Sequence, residues 1–337
     1  MPSGYKILDP KDFADTFDAR SAFALDVLVG LSDTRKAIPS KYLYDDHGSE
    51  LFVKIMEIPE YYVTNSEREA LILHTPEISS MLDKEPFNLV ELGAGSGEKT
   101  LILLNQFLTD KHEFQYVPID ISESAMSGLI ADLDDKLPEV KTHGLVSDYT
   151  NGLKWLNHRN TTRNVVLFLG SNIGNFTHAQ ERFFLRNVWN SLNDNDLLII
   201  GFDLKKDIEL LLSAYNDAKG VTANFNLNLL TRINNELGGE FDLSKFRHYG
   251  TYDVFNGAME SYLVSLEKQE VFIEMIGRSF SFRQWEPIHT EYSYKFLPAN
   301  IETLAVETGF VVEKMLYDDK KYFVDSVWRV NKTATSA

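Results

Sequence analysis

The run Phe87-Asn88-Leu89-Val90-Glu91-Leu92-Gly93-Ala94-Gly95-Ser96-Gly97-Glu98-Lys99-Thr100 decides the fold of this 337-residue chain. Its first half is a short apolar β-type run and its end opens a helix, so the three glycines lie in a strand-to-helix turn. Glycine there allows backbone angles and a close approach that a side chain blocks. A dinucleotide fingerprint, G-x-G-x-x-G, would place its third glycine at position 98, where Glu98 stands. The spacing is instead G-x-G-x-G with an acidic residue, Glu91, at the strand end. It indicates a nucleotide-like cofactor and disfavours the dinucleotide reading.

Outward from this turn the pattern alternates. Short β-rich runs are expected at Asn88 to Leu92, Gln115 to Ile121, Val140 to Ser147, Asn164 to Leu169 and Asp196 to Asp203. Helical patterns run from Lys99 to Thr109, Ser122 to Leu137 and Gln180 to Leu192, with Ser122 as N-cap and Glu123 in the first turn. Such βαβ alternation predicts a parallel sheet. Two further runs, Phe310 to Tyr317 and Tyr322 to Val330, flank the charged turn Asp318-Asp319-Lys320-Lys321 and predict a terminal hairpin.

Five parallel strands plus a hairpin resemble the Rossmann-like, seven-stranded sheet of class I methyltransferases, whose first motif the G-x-G-x-G turn also resembles. Their cofactor, S-adenosylmethionine (SAM), has no pyrophosphate and carries a cationic sulfonium. The fold expected is therefore α/β, with a SAM-binding domain over 66–204 plus 296–337. A second, discontinuous α+β domain is expected over 13–65 plus 205–295. The latter has helical patterning from Lys206 to Asp217 and Asn224 to Leu237, then β-like runs at Ala258 to Leu266 and Val271 to Phe282. An insertion after the fifth strand is expected over the carboxyl edge of the sheet, where doubly wound folds bind ligands, as a substrate lid. Asn331 to Ala337 reads as a frayed tail.

Two acidic residues extend the cofactor reading. Asp120 closes the second strand, where a carboxylate can accept from both ribose hydroxyls; the alternative is a helix-capping Asp. Asp148-Tyr149 follows the third strand, where a carboxylate can accept from an adenine amino group beside an aromatic ring; the alternative is an Asp-initiated turn.

Composition narrows the partners. The formal net charge is −17, and a surface that binds a nucleic-acid backbone relies on Lys and Arg, so no nucleic-acid partner is expected. With no cysteine, disulfides, thiolate metal sites and cysteine nucleophiles are excluded. The eight histidines lack metal-ligand spacing such as H-E-x-x-H, so no metal is expected. The early residues Met1 to Asp15 show no secretory apolar stretch, and Leu197 to Phe202 falls far short of the ~20 residues that span a bilayer. The expectation is a cytoplasmic monomer with no membrane partner, acting on a small molecule.

After the fourth strand, Gly170-Ser171-Asn172-Ile173-Gly174-Asn175-Phe176 lacks the Asp/Asn-Pro-Pro-aromatic motif of nucleic-acid amine methyltransferases. It offers Asn175, which can donate to a carboxylate and accept from an amine, or simply form a turn. Longer segments carry a closer likeness. Tyr44-Asp45-Asp46-His47-Gly48-Ser49-Glu50-Leu51-Phe52 and Ile58-Pro59-Glu60-Tyr61-Tyr62-Val63-Thr64 resemble the N-terminal signature of ergothioneine-pathway L-histidine Nα-methyltransferases. Leu169 to Asn175, Tyr215 to Ala218, Gly220 to Asn226 and Thr290-Glu291-Tyr292-Ser293-Tyr294-Lys295-Phe296 are similar to that family as well. Together they cover nearly the whole chain.

The resemblance implies that Asn175 and Tyr215 hold a substrate carboxylate while Tyr61, Glu291 and Ser293 surround an imidazole. A carboxylate accepting a ring N–H and a hydroxyl at the other nitrogen would read both edges of histidine, and both would pay a desolvation penalty against an apolar competitor. It implies cofactor contacts at Gly93, Gly95, Gly97, Lys99, Asp120, Asp148 and Tyr149, though Lys99 alone also reads as an exposed first-turn residue. It implies three successive methylations of L-histidine to hercynine, with SAM released as S-adenosylhomocysteine. Tyr44 would lie near the amine and pass its proton through water; an unperturbed phenol, pKa ~10, is no strong base. One departure is Ser261, where the family often has a bulkier apolar residue. Two alternatives stay open: an Nα-methyltransferase for an indole amino acid such as tryptophan, and a catalytically silent SAM-binding regulatory subunit.

Overall fold

The structure, a computed structural model, describes residues 4–7, 18–157 and 162–332. Positions 13–17 of the expected second domain and 333–337 of the expected tail lie outside the described residues. The chain divides into two compact units, one of residues 4–7, 63–157, 162–205 and 295–332, the other of 18–62 and 206–294.

The first unit is built on one sheet. Its strands are β1 (Gly4–Ile7), β2 (Phe87–Leu92), β3 (Phe114–Asp120), β4 (Lys141–Val146), β5 (Arg163–Phe168), β6 (Leu197–Asp203) and, from the end of the chain, β12 (Phe310–Tyr317) and β13 (Phe323–Val330). They lie in the order β1-β4-β3-β2-β5-β6-β13-β12. The first six run parallel, and β13 pairs antiparallel with both β6 and β12. This is the Rossmann-like sheet that the sequence leads one to expect, with one strand more than the seven expected. The extra strand, β1, pairs with the outer edge of β4, from Gly4 against His143 to Ile7 against Val146. No strand is expected from the sequence before Asn88, so β1 is an addition to the expected sheet. Gly-Tyr-Lys-Ile is too short to show a period, but it covers an edge that otherwise exposes unpaired N–H and C=O groups.

Every residue of β2 and of β6 is buried, as expected for central strands covered on both faces. Helix Thr100–Thr109 turns Leu103, Leu104 and Phe107 onto the sheet, where they join Leu89, Tyr116, Val165, Leu167 and Ile199 in one core. Each such side chain contributes roughly 1.5–3 kcal/mol on burial. Helix Glu123–Lys136 begins as expected, Ser122 accepting from the Ala125 N–H. Helices Tyr149–Asn157 and Pro298–Thr308 were not anticipated.

The second unit holds helices Ala19–Ser32, Asp46–Met56, Ile208–Tyr215 and Val221–Leu237 with five strands: β7 (Phe246–Asp253), β8 (Ala258–Ser265), β9 (Gln269–Ile273), β10 (Arg278–Phe282) and β11 (Pro287–Tyr294). The order β11-β8-β7 forms an antiparallel sheet, and β9 and β10 form a separate hairpin. The single run expected from Val271 to Phe282 is broken by a 3-10 turn, Glu274–Ile276, ending on Gly277 at φ 65°. Helix Val221–Leu237 buries Phe225, Leu229, Leu230, Ile233 and Leu237.

Candidate functional site

Strands β2 and β5 are neighbours whose chains leave in opposite directions, β2 towards β3 and β5 towards β6. Such a switch point opens a crevice at the carboxyl ends of the strands. Gly93, Gly95 and Gly97 follow β2 there, all at positive φ (76°, 52° and 68°). They differ in what surrounds them. A Cβ on Gly97 would run into Leu129, and one on Gly93 would come 2.8 Å from the Tyr149 hydroxyl. A Cβ on Gly95 would meet nothing within 4 Å. The middle of the turn is thus bare backbone facing open space, the cradle that a nucleotide-like ligand needs.

Asp120 ends β3 beside this turn. One carboxylate oxygen accepts from the Gly95 N–H at 2.9 Å, the other from the Ser122 N–H at 2.9 Å. Burial raises its pKa against the lowering effect of those backbone bonds. Each oxygen keeps a further lone pair, so Asp120 can fix the turn and still accept from a diol. Asp148 is exposed and accepts from both the backbone and side-chain N–H groups of Asn151, at 3.0 and 2.7 Å, as a cap on helix Tyr149–Asn157. Tyr149 packs edge-on to Phe168 at 5.3 Å and against Phe184 at 5.9 Å, and burial pushes its phenol pKa up. Its hydroxyl therefore abuts the glycine turn while its ring belongs to the packing beneath.

Three residues that were not among the expected contacts complete this end. Asn172, in the 3-10 turn Asn172–Asn175 after β5, donates to the Leu169 carbonyl at 2.9 Å, and its amide lies 3.5 Å from where a Gly93 Cβ would be. Glu67 is fully buried, pairs with Lys99 and accepts from the Gly170 N–H at 2.6 Å. Glu91, read only as part of the motif, accepts from Thr100 at 2.6 Å and from the Tyr116 hydroxyl, tying β2 to β3 and to the following helix. Asn175 ends the 3-10 turn, half-buried, and is the one expected substrate contact in this unit.

The remaining expected residues lie in the second unit. Tyr44 stands between the 3-10 turn Ser40–Leu43 and helix Asp46–Met56, its ring 5.5 Å from Phe52 and 5.4 Å from Phe225. Asp45 holds that corner, accepting from the Gly48 N–H at 2.8 Å and from the Asn228 amide at 2.7 Å. Phe52 lies 6.3 Å from Tyr61, and Tyr61 lies 6.4 Å from Tyr215. Tyr215 donates to Ser293 at 2.7 Å. Tyr44, Phe52, Tyr61, Tyr215 and Ser293 are thus linked by successive ring contacts that end in a hydroxyl bond. Glu291 and Ser293 alternate along β11 and share a face. Across the sheet Glu291 pairs with Ser261 and Ser293 with Met259, so Ser261 is the β8 neighbour of the carboxylate. The register shifts between His289 and Glu291, where Thr290 donates to Asn226 at 2.7 Å and to the Ser261 carbonyl at 3.0 Å. Among the described residues no group of three or more His, Asp or Glu side chains is arranged to hold a metal ion.

With this geometry in hand, the relatives of the chain become informative. A family profile described as "Histidine-specific methyltransferase, SAM-dependent" matches residues 23–330. The chain is 34% identical over 291 residues to the histidine N-alpha-methyltransferase of Mycolicibacterium smegmatis, covering 86% of this chain and 89% of that one. It is 35% identical over 277 residues to the Mycobacterium tuberculosis protein of the same name, with 82% and 85% covered. Similarity extends to ergothioneine biosynthesis protein 1 of Neurospora crassa, 31% identical over 283 residues, which are 82% of this chain and 31% of that protein.

Proposed function

We propose, for a chain that belongs to the family of SAM-dependent, histidine-specific methyltransferases, that it converts free L-histidine to Nα,Nα,Nα-trimethylhistidine, hercynine, by three successive methyl transfers. The reaction would be the first committed step of ergothioneine biosynthesis. The observation that carries this reading is the Tyr215–Ser293 bond beside Glu291: a hydrogen-bonded hydroxyl pair and a carboxylate on one strand face, bordered by Tyr61. The names of the two bacterial relatives support the α-amine as the methylated atom, and that of the Neurospora crassa protein supports the pathway.

In this proposal the second unit binds substrate. Glu291 accepts the imidazole N–H, Ser293, oriented by Tyr215, meets the other ring nitrogen, and Tyr61 flanks the ring. Asn175 and Tyr215 hold the α-carboxylate, Tyr215 giving its one hydroxyl proton to that carboxylate and then accepting from Ser293 rather than donating to it. The first unit binds the methyl donor: Gly93, Gly95 and Gly97 let the backbone pass close to it, and Lys99 takes its anionic end. Asp120 accepts from its ribose hydroxyls, and Asp148 and Tyr149 border its adenine. The open space at Gly95 and the spare lone pairs of Asp120 support that fit. SAM supplies, when bound, a methyl group on a sulfonium that a neutral amine can attack.

The residues around the amine then have two tasks. They align its lone pair, because effective in-line transfer depends on a near-attack geometry. They also let a proton leave, because an α-ammonium has no lone pair and each of three transfers needs a neutral amine. Tyr44 passes that proton to water, and the tyrosine faces tolerate the cation that grows with each methyl. The proposal includes a cytoplasmic monomer with no nucleic-acid, membrane or metal partner; no described helix is long and apolar enough to cross a membrane.

The test is a panel of free amino acids incubated with the purified protein and SAM, read by mass. Histidine is expected to gain one, two and then three methyl groups, and no gain on histidine would defeat the reading. Glu291→Ala is expected to abolish histidine turnover. Tryptophan turned over in preference to histidine by the unaltered protein would instead indicate an indole-directed enzyme, and tight cofactor binding with no turnover on any amino acid a regulatory one.

A further inference from the structure

A buried charge cluster in the first unit is not accounted for by any of these roles. Glu67, on helix Tyr62–Ser80, has a fully buried side chain. One carboxylate oxygen is ion-paired with Lys99, which opens the helix after β2, and the other takes the N–H of Gly170, which follows β5. Glu67 therefore joins the two sides of the crevice from below. The chain makes room for it: a Cβ on Gly201 of β6 would strike the carboxylate, and one on Gly170 would come 3.4 Å from the Lys99 ammonium. The Lys99 side chain is 20% exposed where that of Glu67 is 0% exposed, so the counter-ion is buried while part of the lysine remains accessible.

Asp325, on β13 opposite Gly201, is fully buried, and neither of its carboxylate oxygens has a hydrogen-bond partner among the described residues. Burial, and then the charge of Glu67, hold its carboxyl well above the usual carboxylate range. A buried charge without a counter-ion costs several kcal/mol. The arrangement with the least uncompensated charge is one ionised carboxylate, Glu67, facing one ammonium, Lys99, with Asp325 as the neutral acid.

We propose that Glu67 is a positioning residue that fixes Lys99 and the Gly170 turn as one rigid grip for the carboxylate of the methyl donor's amino-acid end. This rests on the reading of Lys99 as a cofactor contact. The class of ligand group follows from charge: Glu67 already occupies the Gly170 N–H, so what the grip presents is the ammonium, and the donor's one anionic group is its carboxylate. Rigidity matters because Lys99 is a long, flexible side chain whose ordering would otherwise be charged against binding.

The experiment is calorimetric titration of the full chain with two probes, S-adenosylhomocysteine, which has the carboxylate, and 5′-methylthioadenosine, which lacks the amino-acid end. Glu67→Gln is expected to weaken S-adenosylhomocysteine about tenfold or more and to leave methylthioadenosine within about twofold. Lys99→Met is expected to do the same, and Glu67→Gln/Lys99→Met to be no worse than Lys99→Met alone. Asp325→Asn, which copies the neutral acid, is expected to bind both probes like the unaltered protein. Parallel loss of both probes in Glu67→Gln would mean a general structural role and overturn the proposal, as would additive losses in the double variant. A loss in Asp325→Asn equal to that in Glu67→Gln would overturn it too, by making Asp325 the counter-ion. If Lys99→Met bound S-adenosylhomocysteine normally, the underlying cofactor reading would fail as well, a result distinct from additivity. Glu67→Asp, which keeps the charge but shortens the reach, is expected to show a smaller loss with the same probe selectivity and serves if Glu67→Gln does not fold.

Discussion

Replacing Glu91 by glutamine should change how the first unit's stability depends on pH. Glu91 is 3% exposed and takes hydroxyl bonds from Thr100 and Tyr116, both of which favour the carboxylate. Burial opposes them and is the larger effect, pushing the pKa up to about 7. In the unfolded chain a glutamate titrates near ~4.3. Between those values the folded protein holds a proton that the unfolded chain has released. The stability associated with the neutral acid is thus complete below ~4.3 and is lost as pH rises through about 7. The slope is about 1.4 kcal/mol per pH unit, which sums to roughly 4 kcal/mol over the window.

Glutamine has nothing to ionise. Its amide oxygen can still accept from Thr100, and its amide N–H can donate to the Tyr116 oxygen. The stability of Glu91→Gln minus that of the unaltered protein should therefore move in favour of the variant by about 2–3 kcal/mol between pH 5 and pH 8. Asp120 and Asp325, whose pKa values are also raised, act in both proteins and cancel in the difference. The assay is urea unfolding at half-unit pH steps, followed by the fluorescence of Trp189 and Trp328, both buried in this unit. A difference that stays flat within about 0.5 kcal/mol, or moves the other way, would refute burial as the dominant effect on Glu91.

Three further substitutions probe the site. Gly95→Ala should cost the fold only about 1–2 kcal/mol for a left-handed alanine, because its Cβ meets nothing, yet weaken S-adenosylhomocysteine by about tenfold or more; normal binding in calorimetry would show that the turn is not the cradle. Tyr215→Phe removes the hydroxyl shared with Ser293 and should lower kcat/KM for histidine about tenfold, and adding Ser293→Ala should lower it further, because the hydroxyl at the ring nitrogen is lost too, but by less than the two single losses combined, since they share one bond; fully additive losses would mean that the shared bond contributes nothing. Ser261→Met should fill space beside Glu291 and, in a competition assay, lower turnover of tryptophan relative to histidine by about tenfold; an unchanged ratio would mean that Ser261 does not shape the pocket.

How far the sequence discloses such a protein depends on the distance over which each feature is determined. The G-x-G-x-G turn is local: glycine spacing and an apolar run specify a strand, a turn and a helix start, and the structure has all three. Ser122 as N-cap is equally local. Strand β1 escaped because its pairing with β4 is set across some 140 positions and four residues carry no period. Strands β7 and β11 were not separately expected: β11 does alternate Ile288, Thr290, Tyr292 and Tyr294 with His289, Glu291 and Ser293, but its place beside β8, like that of β7, is set by tertiary pairing.

Buried charge is the hardest feature to read. Glu67 is followed by Arg68 and Glu69, and in sequence all three look like the solvated face of a helix. Its partners are 32 and 103 positions away, and Asp325 is on the last strand of the chain. Only the assembled sheet, with Gly201 and Gly170 leaving room, separates Glu67 from its neighbours. The expected site residues fall on the same divide. Those of the glycine turn and Asp120 came from spacing and strand ends, and a hydrogen bond ties Asp120 to Gly95. Tyr44, Tyr61, Tyr215, Glu291 and Ser293 came from family likeness alone, since no rule of spacing links positions 61, 215 and 293. What brings those three together is packing: a ring contact at 6.4 Å and a hydroxyl bond at 2.7 Å, made between helix ends and a strand far apart in the chain. Substrate recognition, as proposed, is thus a property of tertiary structure, whereas much of the proposed cofactor turn is already written in a dozen consecutive residues.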